Sequence, residues 1–145
     1  MSEKVQDAIP RSFWVISGVA LAWNLLGVVA YIGQVAMTED ALMKLPEAER
    51  ALYESIPAWE TAAFAVAVFG GVVGSLLLLR RKSWAVPVFM ASLAGILVQC
   101  YHSFFVANSI EVYGPGGLVM PAMVLVIGVL LVWYSRSANA KAWIS

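Results

Sequence analysis

Residues 61–110 read TAAFAVAVFGGVVGSLLLL, then RRK at 80–82, then SWAVPVFMASLAGILVQCYHSFFVANSI. Two long runs without Asp, Glu, Lys or Arg flank a triplet of bases. A run of about 20 such residues is what a helix needs to cross roughly 30 Å of hydrocarbon. A basic triplet between two of them is a tight turn at one face of the bilayer. The stretch therefore predicts a transmembrane helical hairpin.

Working outward, residues 12–38 and 112–135 are also free of acids and bases. The chain thus holds four apolar runs in 145 residues, and its composition agrees: 61% hydrophobic and 12% charged. A soluble domain has about twice that share of charge. The sequence predicts an all-α, four-helix transmembrane bundle in one domain, made of two hairpins with spans at about 13–37, 57–79, 84–106 and 118–134. Pro57, Pro87 and Pro121 each fall early in a span, where a missing N–H is tolerated. The first run is far longer than a signal-peptide core, so it reads as a retained helix.

The loops differ in character. Residues 38–56 form a long connection in which Pro46 to Ile56 predicts a short amphipathic helix. Leu45, Leu52 and Ile56 lie on one face and Glu47, Arg50 and Glu54 on the other, a pattern suited to lying flat on a membrane surface. Residues 107–117 end in the turn-rich Tyr113-Gly114-Pro115-Gly116-Gly117. The basic starts Arg11-Ser12-Phe13-Trp14 and Lys82-Ser83-Trp84 hint at a duplicated hairpin.

Charge gives an orientation. Seven of the nine bases fall at the chain ends and in the 80–82 turn, and only Lys44 and Arg50 fall opposite. The positive-inside rule then puts both termini in the cytoplasm of a multi-pass inner-membrane protein, with loops 38–56 and 107–117 periplasmic. Trp14, Trp84 and Trp133 near one interface and Trp59 near the other fit an aromatic belt. Membrane lipids are the expected surroundings. Bases and acids balance at nine each, so no excess of positive charge invites nucleic acid. A single Cys and a single His exclude a disulfide, a cysteine zinc site and a histidine cluster. No phosphate loop, nucleophile elbow or metal set is visible, so neither an enzyme nor a bound cofactor is expected.

Polar and small residues are the informative ones in lipid. Ser17, Ala20, Asn24, Gly27, Tyr31 and Gln34 make one stripe on the first span. Glu60, Ala63, Ala67, Gly70 and Gly74 make one on the second, and Ser92, Gly95, Gln99 and His102 one on the third. The fourth offers only Gly128 and Ser135 and reads as structural. At about 1.5 Å per residue, Tyr31, Glu60 and His102 all lie roughly 27 Å from the basic end, with Gln34 and Gln99 about a turn away and Asn24 near the bilayer centre. The sequence therefore predicts a polar pocket of Glu60, His102, Gln99, Tyr31 and Gln34, with Asn24 beneath it, opening outward and lidded by loop 38–56. Glu60 paired with His102 would make that pocket responsive to protons.

Five stretches resemble a family of small four-span bacterial inner-membrane proteins. They are Trp23-Asn24-Leu25-Leu26-Gly27, Leu45-Pro46-Glu47-Ala48-Glu49-Arg50, Pro57-Ala58-Trp59, Gly71-Val72-Val73-Gly74-Ser75 and Glu111-Val112-Tyr113-Gly114-Pro115-Gly116-Gly117. Many members carry the label "sugar transporter" and others no assigned role. The resemblance implies a bacterial inner-membrane location and hints at transport. It supplies no site residues. Two expectations follow: binding or transport of a small polar solute, for which four helices would need a homodimer, or service as a non-catalytic accessory subunit of a larger membrane complex.

Overall fold

The computed structural model describes residues 9–106, 116 and 119–145. Four long helices dominate: α1 (Arg11–Val35), α4 (Ala58–Leu79), α5 (Ala85–Tyr101, continued by a π-helical turn His102–Val106) and α6 (Val119–Ala140). All four are long and apolar enough to cross a membrane. The chain is an all-α four-helix bundle of the membrane type. The predicted Tyr113–Gly117 turn, apart from Gly116, lies outside the described residues, as does Glu111.

The loop between the first two spans carries two short helices where the sequence predicts one. α2 (Glu39–Met43) starts at Thr38, whose hydroxyl accepts the Ala41 N–H at 3.1 Å. That is an ordinary N-cap, and two acids in the first turn favour the helix dipole. α3 (Glu47–Glu54) follows Pro46. Leu45, Leu52 and Ile56 are half-buried and Glu47 and Glu54 are exposed, as the amphipathic pattern requires, but Arg50 is half-buried, its guanidinium donating to the Met43 Sδ at 3.3 Å.

Small residues set how the spans pack. α4 and α5 form the most extensive contact, α1 packs on α4, and α6 packs on α5. At the α4–α5 crossing a Cβ on Gly95 would come within 2.7 Å of the Ala63 carbonyl, and one on Gly70 within 3.1 Å of the Ser92 Cβ. Backbones can approach this closely only where side chains are missing. The Ser92 hydroxyl donates across the interface to the Ala67 carbonyl at 2.6 Å. Asn24 is accommodated on α4 by Gly71, whose missing Cβ leaves its place to the Asn24 amide. The glycine and alanine stripes are thus consumed inside the bundle.

The order α1–α4–α5–α6 leaves α1 and α6 at its edges. Of their most apolar windows only 17% and 11% are buried, against 39% and 33% for α4 and α5. α1 and α6 make no extended contact with each other. They meet at the basic end, where Phe13, fully buried, stacks on Tyr134 at 6.4 Å and meets Trp143 edge-on at 5.9 Å.

α6 runs to Ala140, six residues beyond the Tyr134 end read from the sequence. The reason is packing at the basic end. Ala138 and Ile144 are buried there with Phe13, Leu78 and Ala85, so the tail continues the helix and then folds back. The Arg81 Nε donates to the Trp143 carbonyl at 2.8 Å, the Ser145 N–H donates to the Arg81 carbonyl at 3.0 Å, and the Ser83 N–H donates to the Ser145 carbonyl at 3.2 Å. The last residues therefore strap the 80–83 turn.

Candidate functional site

The six polar residues picked from the sequence do not form one pocket. They fall into five separate surroundings, because side-chain direction around each helix matters as much as depth. Two of them, Glu60 and Gln99, are joined. Glu60, in the first turn of α4, is 7% exposed, and its Oε1 accepts from the Gln99 Nε2 at a long 3.4 Å. Its Oε2 is buried without a partner among the described residues. The expected Glu60–His102 pair is not made. His102, 6% exposed, instead meets the Trp59 ring edge-on at 5.4 Å. It begins the π-helical turn, a feature common at functional positions in helices.

Tyr31 is taken up by aromatic packing, edge-on to Phe64 at 5.4 Å and to Phe69 at 5.6 Å. Gln34 lines a separate hollow of about 220 Å³ at the acidic end, together with Thr61 and with Leu42, Tyr53 and Ile56 from the loop. The loop therefore does cover part of that end. The Gln34 amide nitrogen is buried there without a partner among the described residues. Asn24 turns its amide back to its own helix, donating to the Ala20 carbonyl at 2.8 Å.

The larger cavity, about 380 Å³, lies elsewhere. It is a cleft between α1 and α6, floored by α4 and α5. Trp23, Leu26, Gly27 and Ala30 form one wall, and Met120, Val124, Ile127, Gly128 and Leu131 the other. Phe64, Ala67 and Val68 of α4 and Phe89, Ile96 and Cys100 of α5 make the floor. The lining is mainly apolar and, among the described residues, contains no charged side chain. Its polar members are Asn24, Ser92, Gln99, Ser103 and the Cys100 thiol. Asn24 and Ser92 already donate to backbone carbonyls, and the Cys100 thiol faces the Pro121 carbonyl at 3.8 Å.

The sequence reading missed this cleft because α6 offers hardly any polar residue. Its apolar wall looks no different from a lipid-facing one. The one legible trace is Gly128, where a Cβ would come within 2.7 Å of Ile96 Cδ1. Among the described residues, no three of His, Cys, Asp and Glu gather as a metal site would need. No family model, curated protein or solved structure matches this chain.

Proposed function

We propose that this chain is a multi-pass protein of the bacterial inner membrane, with both termini cytoplasmic, that binds a small molecule within the bilayer in the cleft between α1 and α6. The observation that carries the reading is the cleft itself, a cavity of about 380 Å³ walled by all four spans. Small-molecule sites are commonly of this size, mostly apolar, with a few placed polar groups. A sugar-like solute fits it less well. Many hydroxyls would need many partners, and two of the polar side chains in the lining are already committed to backbone carbonyls.

A second reading, an accessory subunit of a larger membrane complex, draws support from the slight burial of α1 and α6. Their outer faces could take partner helices. One experiment separates the two. The protein is lifted from the membrane in polymer-bounded lipid discs and weighed by native mass spectrometry, beside Ala30→Phe. Ala30 lines the cleft and is exposed, so the larger ring fills space without displacing the core. Under the proposal the wild type retains one small molecule per chain and the variant does not. Identical small-molecule content in both, with the chain held in a larger assembly, would favour the accessory reading.

A further inference from the structure

The cleft has a long axis and two unlike ends. On α5 its lining runs from Phe89 to Ser103, which is about 21 Å of helix at 1.5 Å per residue. A volume of about 380 Å³ spread over that length makes the cleft an elongated slot. A slot of that shape suits an extended hydrocarbon chain laid along the helices. The deep end, toward the 80–82 turn, is lined by the buried Phe89 and Leu131. The polar groups not bonded to a backbone carbonyl, Gln99 and Ser103, lie at the opposite end. Gln99 is steadied there by Glu60, which is 93% buried (7% exposed) and, among the described residues, leaves its second oxygen without a partner. One N–H of the Gln99 amide is used in that contact, which leaves a second N–H and a carbonyl for hydrogen bonding.

We infer that the cleft takes a single-chain amphipath whose uncharged head carries a hydroxyl or carbonyl group. This rests on the proposed reading of the cleft as a ligand site. The hydrocarbon chain lies along Trp23, Val124 and Ile127, and the head meets Gln99 and Ser103. A charged head is disfavoured because the lining offers no counter-ion among the described residues, and an unpaired charge in such surroundings is costly. Glu60 is a positioning residue in this arrangement. A two-chain phospholipid supplies the same hydrocarbon and is the competing occupant that the test separates.

Brominated chains quench tryptophan on contact, and Trp23 is in the wall. The protein in dioleoylphosphatidylcholine vesicles is titrated with 12-bromododecan-1-ol and with 1-bromododecane. Trp23→Phe isolates the share of the signal that belongs to the cleft. Wild type is expected to show saturable quenching, with the alcohol half-saturating at a roughly tenfold lower concentration than the alkane, the worth of one good hydrogen bond. Gln99→Leu is expected to erase that difference while chain binding persists, and Ser103→Ala to reduce it. Ala30→Phe is expected to abolish saturable quenching by both probes. Equal half-saturation by the two probes in wild type would overturn the inferred head while leaving the cleft a ligand site. Absence of saturable quenching in folded wild type would overturn both. Full Trp23 quenching by brominated phosphatidylcholine vesicles alone, with no further effect of either probe, would show that bilayer chains fill the cleft and would also overturn the inference.

Discussion

At Gly95 a single hydrogen atom decides whether two helices meet. A Cβ there would stand 2.7 Å from the Ala63 carbonyl and 3.0 Å from the Ala67 nitrogen, both backbone atoms that cannot step aside. Gly95→Ala should therefore cost about 1–3 kcal/mol through forced separation of α4 and α5. Gly18 is a control, because a Cβ there meets nothing within 4 Å. Gly18→Ala should leave stability unchanged or raise it by up to about 1 kcal/mol from helix propensity. Denaturation in mixed micelles with rising sodium dodecyl sulfate reads both. Ser92→Ala removes the 2.6 Å bond to Ala67, yet hydrogen bonds between membrane helices average only about 0.6 kcal/mol. It should cost less than Gly95→Ala, and the reverse order would show that polar contacts, not close approach, hold this pair. The stripe carrying Gly95 was legible because small residues at spacings of three and four stand out among Leu and Val. Which atom each glycine admits was not, since that depends on the crossing angle. Asn24 shows the gap well: its depth could be counted, but not that its amide would bond Ala20 and rest on Gly71.

Helix ends explain where the element boundaries departed from expectation. α4 and α6 both finish in the same double hydrogen-bond pattern. The Lys82 N–H donates to the Leu77 carbonyl and the Arg81 N–H to the Leu78 carbonyl, while the Trp143 N–H donates to the Ala138 carbonyl and the Ala142 N–H to the Asn139 carbonyl. This is the Schellman arrangement, which places its turning residue in the left-handed region and usually recruits glycine. Here Arg81 and Ala142 hold φ of 59° and 60°. With no glycine to mark the stop, a reading of the sequence ends the last span at the charge of Arg136 instead. Ala142 is exposed, so Ala142→Gly loses little contact and relieves the left-handed backbone. It should stabilise the chain by about 0.5–1 kcal/mol. Ile144, 2% exposed in the core at the basic end, is the other side of the same strap. Ile144→Ala should cost about 2–4 kcal/mol. Lys141, over the Trp143 ring at 4.8 Å, is exposed and Lys141→Met should change stability by at most about 1 kcal/mol. Thermal unfolding of the three variants tests the strap, and an Ile144→Ala protein as stable as wild type would show that the tail merely rests on the turn.

For the molecule as a whole, class and bundle were legible from four charge-free runs, but the cavity was not. Apolar residues carry no mark of whether they face lipid, a neighbour or a ligand, so the α6 wall of Met120, Val124 and Ile127 was silent in the sequence. The polar residues, which did speak, are mostly used up in pairs: Glu60 with Gln99, His102 against Trp59, Tyr31 between Phe64 and Phe69. The orientation in the membrane rests on charge alone. The 80–83 turn and the 141–145 strap share one end of the bundle through their hydrogen bonds, which gathers Arg80, Arg81, Lys82 and Lys141 on one face. Loop helices α2 and α3, with Glu39, Asp40, Glu47, Glu49 and Glu54, occupy the other. Lys and Arg are retained on the cytoplasmic side during insertion, so the strap end should be cytoplasmic and α3 external. The chain has one cysteine, so a Cys100→Ala background is silent to thiol reagents. In that background Glu49→Cys should react with a membrane-impermeant maleimide added to intact cells, whereas Ser145→Cys should react only after the membrane is opened. Labelling of Ser145→Cys but not Glu49→Cys in intact cells would invert the topology. It would also turn the Gln99 end of the cleft toward the cytoplasm, so that its ligand would enter from the inner leaflet.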